Sequence, residues 1–296
     1  MTTDHIPADS ATVDLPQGRL AYRTAGPAAS NHPPVVLVHG LLVDSRLWAP
    51  VTERLAAEGI RSYAPTLPLG AHPWPMNADA DLSPRGVAQI VLDFMQALDL
   101  SDVIIVGNDT GGAICQVMLG ADPSRVSAAV FTNCDALDTF PPMALAPLFR
   151  ALRHPGVVAC LASALKAKPM RHGPLAYGLL AGEPLDPALT RDWIRPVADK
   201  AIRRDLAKLA KGIHPSVLLD AASRFGQFTG QVRILWGEAD PFFRLKLGRQ
   251  LSEAFPHATL TTVPGGRTFL PLDHPDRVAA EIMAAARDAR QARPAG

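Results

Sequence analysis

The run Val103-Ile-Ile-Val-Gly-Asn-Asp109-Thr-Gly-Gly112 restricts this chain more than any other stretch. Four β-branched residues in succession suit a strand buried on both faces, and Ala113-Ile-Cys-Gln-Val-Met-Leu119 continues with helical spacing. A strand that turns into a helix this quickly strains the central backbone and crowds the neighbouring chain. Gly107 and Gly111 stand where side chains would collide, and one acidic side chain, Asp109, is held up between them. A plainer reading makes Asp109 only the N-cap of the helix, a position Asp favours.

The rest of the chain repeats that layout. Apolar strands near 35, 62, 103, 127, 232 and 259 alternate with helical segments near 46–58, 83–99, 112–121, 244–255 and 275–291. Such alternation predicts an α/β fold, a mostly parallel twisted sheet with helices on both faces. Thr12-Val-Asp-Leu-Pro and Arg19-Leu-Ala-Tyr-Arg-Thr, parted by Gln17-Gly18, predict an antiparallel hairpin at the sheet edge. Nearly a hundred residues between the strands near 127 and 232 show no strand pattern and are rich in Leu, Ala and Pro. At 296 residues and 48% hydrophobic content, one core domain, 1–136 and 226–296, with a helical insertion at 137–225 is the economical reading.

The spacing Gly107-x-Asp109-x-Gly111 resembles the nucleophile elbow of the α/β-hydrolase superfamily. Asp at its centre, followed by a second Gly, resembles the branch that holds haloalkane dehalogenases and epoxide hydrolases, which implies a carboxylate that attacks carbon and forms an ester. Upstream, Val35-Val-Leu-Val-His39-Gly40 is similar to the superfamily's oxyanion loop, with Trp48 at the head of the next helix. The resemblance makes the amides of Leu41 and Thr110 the oxyanion donors, and His39 a structural residue that bonds neighbouring loops. Downstream, Val232-Arg-Ile-Leu-Trp-Gly-Glu-Ala-Asp240-Pro241 resembles the strand that presents the triad acid. The partner histidine is then expected after Ala258-Thr-Leu-Thr-Thr-Val263, but aligned on Phe269 its place falls on Thr268.

That departure limits what the resemblance implies. The histidine would deprotonate the water that hydrolyses the ester, and a threonine hydroxyl does not ionise near neutral pH. Two substitutes are open. His72, on the loop after the fourth strand, borders the pocket in this superfamily, although a loop histidine bonded to backbone is the simpler reading. Asp135, ending the strand Val126–Cys134 at the sheet's carboxyl edge, would share a proton with Asp109 if the two sit close; its alternative is a solvent-facing or capping role. His274 is expected to point away, and His154, His172 and His214 fall in the insertion. Dehalogenases of this branch hold the halide with Asn after His-Gly and Trp after the nucleophile, where Leu41 and Thr110 stand here. Epoxide hydrolases use two tyrosines of the lid, and only Tyr177 lies in the insertion.

The candidate catalytic residues are thus Asp109, Asp240, Thr268 and Asp135, and the candidate substrate and oxyanion contacts are Leu41, Thr110, His39, His72, Trp48 and Tyr177. A net charge of +1 gives no field for nucleic acid. The basic stretch Lys200–Lys211 reads as an amphipathic helix with a solvated face. Cys115, Cys134 and Cys160 read as buried reduced thiols, neither a disulfide frame nor a zinc site. No metal or cofactor is expected. The start Met1-Thr-Thr-Asp-His lacks a signal-peptide layout and no apolar run reaches membrane-spanning length, so a cytoplasmic protein acting on a small molecule is expected; nothing specifies an oligomeric state. Three activities fit: a hydrolase of the Asp-nucleophile type with a non-standard triad, a cofactor-free isomerase, lyase or cyclase using Asp109 as acid or base, and a ligand-binding protein in which Thr268 bonds Asp109.

Overall fold

A computed structural model of the protein describes residues 10–174 and 176–291. In chain order its strands are β1 (Ser10–Leu15), β2 (Gly18–Ala25), β3 (Val35–Val38), β4 (Ser62–Pro65), β5 (Val103–Asp109), β6 (Val126–Cys134), β7 (Gln231–Gly237) and β8 (Ala258–Val263). They form one sheet in the order β1-β2-β4-β3-β5-β6-β7-β8. β1 and β2 form the expected hairpin, β2 pairs antiparallel with β4, and every later pairing is parallel.

β3 and β5 lie side by side at the middle because they carry the most uniformly apolar sequences. Every residue from Val35 to Val38 and from Val103 to Val106 is fully buried. Their side chains alternate between two cores: Val36, Val38, Val103 and Ile105 pack on one face, Val35, Leu37, Ile104 and Val106 on the other. Helices α1 (Ala49–Ala57), α2 (Pro84–Ala97) and α3 (Thr110–Ala121) cover these faces, later joined by α10 (Leu245–Ala254), the short α11 (Leu270–Asp273) and α12 (Pro275–Gln291). α2 starts where Pro84 follows Ser83, whose hydroxyl accepts from the Gly86 amide at 3.2 Å.

Between β6 and β7 the described residues form helices and no strand beyond an isolated bridge between Ala136 and Thr139: α4 (Ala146–Leu152), α5 (Pro155–Leu165), α6 (Lys168–Arg171), α7 (Pro187–Ile194), α8 (Lys200–Gly212) and α9 (Pro215–Ala222), with short 3-10 turns. α8 is amphipathic, as its pattern predicts, but its inward face carries a buried carboxylate, Asp205, beside Ile202, Leu206 and Leu209. One expectation about the thiols is corrected. Cys115 and Cys134 are buried and free, whereas Cys160 is exposed, because α5 turns Val158, Ala162 and Leu165 inward and Cys160 outward. The Met1–His5 segment and the tail from 292 lie outside the described residues. No helix among those described is long and apolar enough to cross a membrane.

Candidate active site

β5 ends on Asp109 itself, whose backbone sits at φ 54, ψ −134, a region that L-residues rarely adopt. Holding it costs on the order of 1–3 kcal/mol. Close packing fixes the corner. A Cβ on Gly107 would come within 2.6 Å of Gly112 Cα, and one on Gly111 within 2.4 Å of the carbonyl oxygens of Val38 and His39. Gly40 on the facing loop is just as constrained, since a Cβ there would lie 2.1 Å from Asp109 Oδ2. Asp109 forms no side-chain capping bond to α3. Its Oδ2 instead accepts from the Leu41 amide at 3.1 Å. Burial pushes its pKa up to about 7, against the pull of the Leu41 and Thr110 amides, with the Asp240 charge adding to the rise.

Asp109 opens into a cavity of about 90 Å³. Leu41, Leu42, Phe242 and Phe243 come from the sheet's loops, and Leu145, Leu148, Phe149, Leu152, Leu161 and Leu165 from the helical segment. Tyr177 is its other polar lining residue, but the hydroxyl donates to the Leu42 carbonyl and the ring packs on Trp193 and Phe269. No histidine lines this cavity among the described residues.

Asp240 stands behind it with all its lone pairs engaged. Oδ1 accepts from the amides of Phe242 (2.8 Å) and Phe243 (3.0 Å), and Oδ2 from Asn133 Nδ2 (2.9 Å) and Thr268 Oγ1 (2.8 Å). Burial raises its pKa while these bonds lower it. Thr268 therefore bonds Asp240, not Asp109, and it is fully buried. Asp135 is also buried; its Oδ2 accepts from Thr110 Oγ1 at 3.5 Å and its Oδ1 has no hydrogen-bond partner among the described residues. Burial first, and the nearby Asp109 charge second, push the Asp135 pKa well up. Of the two carboxyls Asp135 is pushed up further: the amides of two residues, Leu41 and Thr110, pull the Asp109 value down, whereas Asp135 has the Thr110 hydroxyl and its own amide.

Other candidates sit elsewhere. His39 is fully buried: its Nε2 accepts from the Leu67 amide at 2.8 Å, so Nδ1 carries the hydrogen and donates to the Gly40 carbonyl at 2.8 Å. Burial drives its pKa down to about 4, which fits the expected structural role. His72 does not line the cavity. Its Nδ1 accepts from the Gly70 amide (3.3 Å) and Nε2 faces Asp205 Oδ2 (3.3 Å), so it ties the loop after β4 to α8. Trp48 is fully buried in the core at the head of α1, also away from the cavity. Asn133 and Asn108 went unnamed by sequence reasoning. Asn133 holds Asp240 and also accepts from the Gly237 amide at 2.6 Å, and Asn108 donates to the Thr268 carbonyl at 2.7 Å. The signal for both was amide side chains at the ends of apolar strands.

A family model described as the alpha/beta hydrolase fold matches residues 33–275. Haloalkane dehalogenase 2 of Mycobacterium tuberculosis (strain ATCC 25618 / H37Rv) is 26% identical over 290 residues, covering 94% of this chain and 94% of the relative. A solved haloalkane dehalogenase from Bradyrhizobium elkani superposes with a TM-score of 0.78 at 18% identity, over 96% of this chain and 99% of that one. An alpha/beta hydrolase fold protein from Burkholderia ambifaria gives 0.77 at 22% identity, over 95% and 99%.

Proposed function

The chain belongs to the alpha/beta hydrolase fold family, and on that premise we propose a hydrolase-like enzyme whose Asp109 carboxylate attacks a small, apolar or cyclic electrophile. The observation that carries this reading is a strained carboxylate, bonded by a facing amide, as the one acidic group among the described residues on a mostly apolar cavity. In this reading residues 137–225 are a cap that closes the cavity, and 1–136 with 226–296 are the core.

One Asp109 oxygen forms the bond to carbon as the leaving group departs, and the resulting ester keeps its carbonyl oxygen toward Leu41 and Thr110. Those amides stabilise the oxyanion when water attacks the ester carbonyl. Thr268 takes the histidine's place beside Asp240. Its hydroxyl, already donating to Asp240, offers a lone pair to orient a water but no base to deprotonate it. Release of the ester is then the slow step. Leu41 and Thr110 stand where the dehalogenases resembled here carry halide donors, so a leaving group that needs no such donors is favoured.

Intact-mass measurement after incubation with a short alkyl methanesulfonate, whose leaving group needs no halide donors, tests this. An alkyl adduct should build up on the protein and be absent from Asp109→Asn. Asp109-dependent turnover with no adduct would instead support a second reading, favoured by the carboxyl that ionises near neutrality beside a protonated Asp135. There Asp109 moves a proton in an isomerisation, elimination or cyclisation, which needs no water base. A binding-only role rested on a Thr268–Asp109 bond, and the hydroxyl goes to Asp240.

A further inference from the structure

A second cavity, about 370 Å³, lies within the helical segment between β6 and β7. Lys166, Arg171, Arg191 and Arg195 line it, and among the described residues no carboxylate does. Arg171 is only 3% exposed. Its Nε donates to Thr190 Oγ1 (3.1 Å), Nη1 to the carbonyls of Leu165 (2.9 Å) and Lys166 (3.0 Å), and Nη2 to the carbonyl of Pro187 (3.3 Å). All four acceptors are neutral, so a buried cation is held by dipoles alone. A guanidinium has five N–H donors, which leaves one Nη2–H without an acceptor among the described residues. Asp192, the nearest acid in sequence to the cationic pair on either side of it, is taken up by Arg46 at 3.2 Å and by Arg191 at 3.7 Å.

A buried charge without a counter-charge is costly, and a planar guanidinium matches the oxygens of a carboxylate or phosphate. The cavity also adjoins the one that holds Asp109. Leu165 lines both, and its carbonyl is one of the groups that fix Arg171. We infer that this cavity binds the oxyanion end of the substrate, an apolar molecule terminated by a carboxylate or phosphate, whose apolar part reaches past Leu165 into the Asp109 cavity. This assignment rests on the proposal that the Asp109 cavity is the substrate site.

Calorimetric titration of the full chain with octanoate, octan-1-ol and inorganic phosphate tests it, using the wild type, the exposed-side-chain variant Lys166→Ala/Arg195→Ala, and Asp109→Asn. Octanoate should bind saturably and more tightly than octan-1-ol. The double variant should weaken octanoate by about tenfold and leave octan-1-ol unchanged, while Asp109→Asn keeps the preference. Equal binding of acid and alcohol, or a double variant that binds octanoate as well as the wild type, would overturn the inference. Phosphate that binds through these cations with no octanoate preference would make this a site for free anions and sink the link to substrate. A preference that survives while no adduct forms on Asp109 would sink the nucleophile and leave this site standing.

Discussion

Replacing Asp109 with asparagine should stabilise the protein above neutral pH, and the gain should vanish in acid. Asp109 ionises at about 7 in the folded state, against about 3.9 in an unfolded chain. Between those values the native state keeps a proton that the unfolded chain has released, so stability falls as pH rises through the window. Three pKa units at 1.36 kcal/mol each amount to roughly 4 kcal/mol at pH 8. Below pH 4 both states are protonated and nothing is lost. Asparagine keeps the shape of the side chain, can turn its oxygen to the Leu41 amide, and never ionises. Burial, the larger cause of the rise at Asp135, is left in place by the substitution, and only the smaller push from the Asp109 charge is lost with it. Urea unfolding of wild type and Asp109→Asn at steps from pH 4 to 8 measures the gap. It should be smallest at pH 4, widen to about pH 7 and then level off. A gap independent of pH, or a wild type more stable at pH 8, would refute the assignment of a dry, reluctant carboxylate at the elbow.

Thr268→His sets an imidazole beside Asp240 and should raise the rate of ester release about a hundredfold or more, read by single-turnover kinetics; unchanged release would mean that the missing base is not what limits the reaction. Gly111→Ala should cost about 3 kcal/mol or more, because its Cβ would meet two carbonyl oxygens at 2.4 Å, and a urea midpoint equal to wild type would contradict that packing. His39 should show no imidazole titration by NMR between pH 5 and 8, since burial holds its pKa at about 4. With the folded value depressed, its contribution to stability is present above the unfolded value and is lost as pH falls toward 4; a transition near 6.5 would refute its burial as a neutral staple.

Much of the frame was legible because buried parallel strands leave a blunt trace. Val35–Val38 and Val103–Val106 are apolar on both faces, and Gly107 and Gly111 mark the collisions that a sharp corner creates. The Asp240–Thr268 pair was brought together by two separate strand ends, a relation that the alternation of strands and helices carries. What escaped depends on how loops cross in space. His72 faces Asp205 because α8 folds back over the loop after β4, and no local spacing encodes a contact across 133 residues. Trp48 is a core residue for the same reason, fully buried in the cluster on one face of the sheet and absent from the cavity lining. Asn133 looks like any polar strand end until it bonds Asp240 and Gly237 at once. Cys160 sits in an apolar stretch of sequence on the outward side of α5, where average hydrophobicity says nothing about facing.

The central claim is that Asp109 becomes covalently attached to substrate and is freed by water. Single turnover in ¹⁸O-water, with an electrophile that forms the adduct, followed by mass measurement of the peptide carrying Asp109, tests it directly. Heavy oxygen in the Asp109 carboxylate is the predicted result. Product formed with that carboxylate unlabelled would contradict the claim and leave Asp109, at most, a carrier of protons.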